Sequence, residues 1–136
     1  MRRSYKLLVV DIDGTLIGKG REISDDDKGA LSEAHNAGVQ ICLSTGRSLK
    51  SSWKIIDQLA VGKYHIFFDG ALVGSSDLTE EIYVKHIDKA VVKQLVEFAY
   101  RHDMDIEFFF GNALFRPAGD MVHRGTLQVL RAGGSD

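Results

Sequence analysis

The stretch Leu7-Leu8-Val9-Val10-Asp11-Ile12-Asp13-Gly14-Thr15-Leu16 constrains this chain more than any other. Four apolar residues in a row read as a strand buried on both faces, as inside a parallel sheet. The run ends on two carboxylates one residue apart, followed at once by a glycine. In open α/β sheets, ligands bind beyond the carboxyl ends of the strands. Asp11 and Asp13 are therefore expected at the mouth of a crevice. Carboxylates this close repel unless a cation lies between them, and Mg²⁺ is the cation that suits hard oxygen donors. Gly14 permits a sharp turn whose N–H groups can face an anion. The plain alternative is a strand followed by an Asx-type turn, with Asp11 and Asp13 solvated or capping.

Periodicity extends the pattern. Lys6 to Val10 reads as the first strand and Ile17 to Ile23 as a polar loop carrying Gly18 and Gly20. Ser24 followed by Asp27 resembles a capping box, so a helix should start near Asp25. Ala30, Leu31, Ala34 and Ala37 fall at helical spacing, His35 reads as a surface or satisfied residue of this helix and not as a ligand, and Gly38 is a C′ stop. Val39 to Leu43 is the second strand. A strand, a helix and a strand within about 40 residues form a βαβ unit, which crosses over to give parallel neighbours. Both strands then finish on one edge, so Ser44-Thr45-Gly46-Arg47 should lie beside Asp11 and Asp13.

Ser48 can cap a second helix whose apolar face is Leu49, Trp53, Ile56, Leu59 and Ala60, with Trp53 packing and Gly62 ending the helix. His65 to Phe68 reads as a third strand closing on Asp69-Gly70-Ala71. Leu72-Val73-Gly74 and Glu81 to Val84 read as a hairpin. Asp88 should cap a helix with Val91, Val92, Leu95, Val96 and Ala99 on its apolar face. Asp105 to Phe110 and Ala113 to Arg116 read as two strands joined by a turn at Gly111-Asn112, and Pro117 ends the second. A short helix through Met121, Val122, Leu127 and Leu130 and a frayed tail from Arg131 complete the reading.

Composition excludes several classes. The chain has 136 residues, 44% of them apolar, with a net charge of −2. That leaves no broad basic field for nucleic acid. No apolar run is long enough to span a membrane, and the start lacks the apolar core of a signal peptide. The single cysteine, Cys42, cannot form an internal disulfide and sits in an apolar run, which fits a small hydrophobe in a reducing cytoplasm.

Asp-Ile-Asp-Gly-Thr-Leu at positions 11–16 resembles the first motif of the haloacid dehalogenase superfamily of phosphohydrolases. Ser44-Thr45-Gly46-Arg47 resembles its second motif, in the Thr-Gly-Arg form usual for Cof-type sugar phosphatases. The resemblance covers about residues 4–117. It implies an α/β fold: a partial Rossmann-like three-layer core of parallel strands over residues 1–84, then part of an inserted α+β cap over residues 85–136. It also implies a Mg²⁺-dependent phosphomonoesterase acting on a small phosphorylated metabolite. Asp11 would be the nucleophile, forming an aspartyl-phosphate, and Asp13 the general acid and base. Asp11 and Asp13 would hold the metal, while Gly14, Thr45, Gly46 and Arg47 would contact phosphate. Asp69-Gly70-Ala71 stands where many Cof-type members have Asn-Gly-Ala, so the resemblance does not carry an amide contact to this position, and Asp69 also reads as a surface turn residue.

Other expected parts are missing from the sequence. Nothing after Ala118 looks like the family's lysine or its Gly-Asp-x-x-x-Asp motif, and Arg47 and Lys19 are the local cations that could stand in. A typical member runs roughly twice this length. Without a later parallel strand, Leu7 to Val10 becomes an apolar sheet edge that invites pairing. The expectation is a fragment or truncated form that forms a homo-oligomer or strand-swapped dimer. A competing reading is a non-catalytic remnant that binds Mg²⁺ or phosphate, or serves in assembly. A receiver-like signalling domain also places acidic groups at strand ends, but it lacks the Asp-x-Asp-Gly-Thr pattern.

Overall fold

The computed structural model describes residues 5–18, 22–59, 61–77, 79–110 and 113–115. Lys19, Gly20, Ala60, the Gly111-Asn112 turn, the strand end at Pro117, the helix through Met121 to Leu130 and the tail lie outside the described residues. The chain divides into two units, one running to Lys85 and one beginning at His86. No helix among the described residues is long and apolar enough to cross a membrane.

The first unit is a mixed five-stranded sheet with two helices. Its strands are β1 (Leu7–Asp11), β2 (Gln40–Ser44), β3 (Tyr64–Phe67), β4 (Leu72–Ser75) and β5 (Glu81–Val84), in that spatial order. β1, β2 and β3 run parallel, and β4 and β5 add antiparallel neighbours. Helix α1 (Asp25–Asn36) joins β1 to β2, and α2 (Leu49–Ile56) joins β2 to β3. This is the partial Rossmann-like α/β core that the sequence implies. The capping signals hold. Ser24 Oγ accepts the Asp27 N–H and donates to the Asp27 carboxylate, while Ser48 Oγ accepts the Ser51 N–H. Gly38 ends α1 with φ +87°, a conformation that other residues rarely adopt.

The second unit contains α3 (Lys89–Arg101) and the antiparallel pair β6 (Phe108–Phe110) and β7 (Ala113–Phe115). Asp88 caps α3 by accepting the Ala90 N–H. The helix buries Val96 and Ala99 but leaves Val91 and Leu95 exposed, so only part of the expected apolar face is covered. β6 is shorter than the expected strand, which began at Asp105.

Several local expectations are corrected. The residues between the motif and α1 do not form a purely polar loop, since Leu16, Ile17 and Ile23 are core residues with Ile12. They pack with Leu31, Ile41, Leu43, Leu49, Ile55, Ile56, Phe67 and Leu72. On α2 the buried face runs through Leu49, Ser52, Ile55 and Ile56, and Trp53 is half-exposed instead of packed. The helix stops at Ile56 well before Gly62, whose N–H bonds the Ile41 carbonyl. His35 is half-buried, and its Nδ1 is enclosed without a hydrogen-bond partner among the described residues. β1 is not buried on both faces. Among the described residues no strand pairs with its outer side, and Leu7, Leu8 and Val9 are 56%, 39% and 47% exposed. The apolar edge inferred from the lack of a later parallel strand is therefore present.

His65 was not anticipated as special. Its side chain is fully buried, its Nδ1 accepts the Leu43 N–H at 3.2 Å, and its Nε2 has no partner. A ring nitrogen thus takes the place of a carbonyl between β2 and β3. Burial lowers its pKa from 6.5 to about 4, because a charged imidazolium would have no water to solvate it. The folded chain resists protonation that the unfolded chain accepts. Stability from this source is full above pH 6.5 and falls as the pH drops towards 4. Urea unfolding at pH 7 and 4.5 checks this: we expect a loss through His65 of roughly 2 kcal/mol, reduced in His65→Gln. An equal loss in both proteins would contradict it.

Candidate active site

Parallel pairing of β1 with β2 sets the site. The register runs from Leu7 opposite Gln40 to Asp11 opposite Ser44. Neighbouring strands lie about 4.8 Å apart, so the loops that follow Asp11 and Ser44 leave the same edge side by side. After Asp11 the chain turns tightly. The Gly14 N–H donates to the Ile17 carbonyl at 3.0 Å and the Ile17 N–H to the Ile12 carbonyl at 2.8 Å. Gly14 sits at φ +86°, so a side chain there would be strained although the space is open. Ile12, Leu16 and Ile17 anchor this loop in the core while Asp11, Asp13, Gly14 and Thr15 remain exposed. The alternation explains how a polar loop is held rigidly. Apolar residues between the acids fix the backbone and leave the carboxylates to solvent or ligand.

The second loop meets the first directly. Arg47 Nε donates to Asp13 Oδ2 at 2.7 Å and Arg47 Nη2 to Asp13 Oδ1 at 2.5 Å. This is a bidentate fork between residues 34 positions apart. Its hydrogen bonds hold the Asp13 carboxyl below the usual carboxylate range and raise the Arg47 guanidinium above its own. Arg47 Nη1 adds a longer contact to the Ser51 carbonyl at 3.4 Å. Thr45 is buried, and its Oγ1 accepts the Arg47 N–H at 3.1 Å, which leaves the hydroxyl proton able to donate to a ligand. Asp11 accepts a bond from the Thr15 hydroxyl at 3.3 Å.

A third loop closes on the second. The Asp69 N–H donates to the Thr45 carbonyl and the Phe68 N–H to the Arg47 carbonyl. A Cβ on Gly46 would stand 3.0 Å from both Asp69 carboxylate oxygens, so the glycine makes room for this acid. Phe68, Asp69 and Gly70 all have positive φ, at 52°, 53° and 95°. Two consecutive non-glycine residues in that region carry strain that surrounding bonds must offset, a pattern that gathers at functional sites. In the sequence Asp69 reads only as a turn residue or a departure from the family's Asn. Its alignment with the second loop appears only in three dimensions.

The structure therefore brings Asp11, Asp13, Gly14, Thr45, Gly46 and Arg47 to one end of the sheet, with Thr15 and Asp69 beside them. Among the described residues no group of three or more His, Cys, Asp or Glu side chains is placed to hold a metal. Mg²⁺ commonly needs only one or two carboxylates and keeps several waters. Asp11 and Asp13 supply that minimal hard-oxygen set, although the Arg47 fork occupies the Asp13 carboxylate in this state.

Comparison with known proteins shows the family and the fold. The family model for haloacid dehalogenase-like hydrolases matches residues 8–124. A putative phosphatase of Bacillus subtilis, YxeH, is 29% identical over 120 residues, covering 86% of this chain and 44% of that protein. A putative phosphatase of Streptococcus pyogenes serotype M6 is 40% identical over 82 residues, covering 58% of this chain and 30% of that protein. Among solved structures, a sugar phosphatase of subclass IIB of the same superfamily superposes with a TM-score of 0.69 at 25% identity. That match covers 88% of this chain and 46% of the other. The chain spans less than half the length of each of these relatives. By its family match, its fold and the two loops that meet at Asp13 and Arg47, the chain belongs to the haloacid dehalogenase-like hydrolases.

Proposed function

We propose that this chain carries the nucleophile half of a Mg²⁺-dependent phosphomonoesterase that works through an aspartyl-phosphate on Asp11. The observation that supports the reading most is the contact of the two motif loops, with Asp11 and Asp13 at the end of β1 and Thr45 and Arg47 at the end of β2. An Asp11 oxygen attacks phosphorus and the bond to the ester oxygen breaks. Asp13, once protonated, gives its proton to the leaving alkoxide. A water then attacks phosphorus, Asp13 takes its proton, and Asp11 is released with inorganic phosphate. Thr45 donates its hydroxyl to the transferring group, and Arg47 can offer a bidentate contact. Mg²⁺, held by the Asp11 carboxylate and the Asp13 backbone carbonyl, would offset the charge of two anions brought together. The substrate we favour is a small phosphorylated metabolite such as a sugar phosphate, which fits the sugar phosphatase among the structural relatives.

We expect Mg²⁺-dependent release of p-nitrophenol from p-nitrophenyl phosphate. Chelation of the metal and Asp11→Asn should each remove it. Turnover that persists in Asp11→Asn would contradict the mechanism.

The exposed β1 edge favours a second reading, a non-catalytic piece that binds Mg²⁺ or phosphate and serves in assembly. Clean protein with no turnover but retained Mg²⁺ binding would select it. Under either reading we propose that β1 pairs with a second copy of the chain, because its apolar side chains are exposed on both faces of an edge that no other strand among the described residues pairs with. Sedimentation should give a dimer, and Val9→Lys should shift it to monomer. A concentration-independent monomer in the unaltered chain would contradict the pairing.

A further inference from the structure

The Arg47–Asp13 fork has a consequence beyond holding two loops together. Both oxygens of Asp13 accept from one guanidinium edge, formed by Nε and Nη2. While both are engaged, Asp13 has no oxygen free to carry and donate a proton. The opposite edge of Arg47 is turned towards the Ser51 carbonyl, with Nη1 at 3.4 Å. The guanidinium edge best placed for bidentate recognition is thus already used by the group that the proposed chemistry needs free.

We propose that Arg47 is a partner-switching clamp: it holds Asp13 in the ligand-free chain, and an arriving phosphate group takes the guanidinium and releases Asp13. This rests on the phosphotransfer reading of the site and adds to it a competition between substrate and Asp13 for one arginine. Magnitudes favour the exchange. The Asp13 and Arg47 side chains are 53% and 34% exposed, and exposed ion pairs are weak. A phosphate carries up to two charges and three acceptor oxygens, so its bidentate bonds to arginine are the stronger set. The exchange also has somewhere to lead. The Arg47 backbone N–H is bonded to Thr45 Oγ1, so the arginine side chain leaves the backbone next to the hydroxyl that would meet the same phosphate. Arg47 is on this account a positioning residue that couples arrival of the phosphate to release of Asp13.

A double-mutant cycle on inorganic phosphate binding, measured calorimetrically without divalent metal, tests this. The four proteins are the unaltered chain, Asp13→Asn, Arg47→Ala and the double variant. Removing the Asp13 charge alone should help any anion, with or without Arg47. The clamp adds a release term that needs Arg47. We expect Asp13→Asn to tighten phosphate about fivefold more with Arg47 present than with Arg47→Ala, a coupling of ~1 kcal/mol. The Arg47 side-chain ¹⁵Nε resonance of the unaltered chain should also shift as phosphate is added. Arg47→Lys, which keeps the charge without the fork, should show less coupling and guards against misfolding of the alanine variant. Equal tightening in both backgrounds, or no phosphate binding in any of the four, would overturn the clamp. Failure of p-nitrophenyl phosphate hydrolysis would sink the enzymatic reading and leave this binding cycle readable. Uncoupled binding would sink the clamp while hydrolysis stood.

Discussion

Everything at this site depends on the parallel hydrogen-bonded pairing of β1 with β2. A register in which Asp11 faces Ser44 forces two loops, separated by about 30 residues of sequence, to emerge together. A one-residue slip would exchange the faces of every side chain on β1. The apolar residues set within the first loop make that register hold. Ile12 is fully buried and Leu16 and Ile17 nearly so, so the backbone carrying the acids is pinned from beneath. The polar site is thus a product of core packing, and its precision comes from side chains that never touch a ligand.

Charge sets what the pinned loops can do. Asp11 and Asp13 at the end of β1 and Asp69 after β3 lie at the same end of the sheet, and the fork from Arg47 joins the first of these segments to the loop after β2. The glycine turn, the Thr45 hydroxyl and the Arg47 guanidinium are all groups that can face an anion. The strained backbone at Phe68 and Asp69 belongs to the same logic, since hydrogen bonds to the Thr45 and Arg47 loop hold it in place.

Much of this was legible in the sequence. The Asp-x-Asp-Gly motif, the Ser24 and Ser48 caps and the glycine after α1 are local signals, and local signals survive into the fold because neighbouring residues generate them. Other features were not. Trp53 looked like packing because its spacing was helical, yet spacing alone does not say which face of a short amphipathic helix meets the core. The loop after Asp13 looked polar because glycines and charges surround Ile17 and Ile23. His65 was not readable as special, and Asp69 was readable only as a departure from the family pattern, because each matters through a partner distant in sequence, Leu43 for one and Gly46 for the other.

The central claim is that the loop after β1 and the loop after β2 form one ligand site. A two-dimensional amide NMR titration with inorganic phosphate and Mg²⁺ tests it most directly. The account predicts that resonances of Asp11 to Thr15 and of Ser44 to Arg47 shift together, along one binding curve. Shifts confined to one of the loops, or two curves with different midpoints, would contradict it.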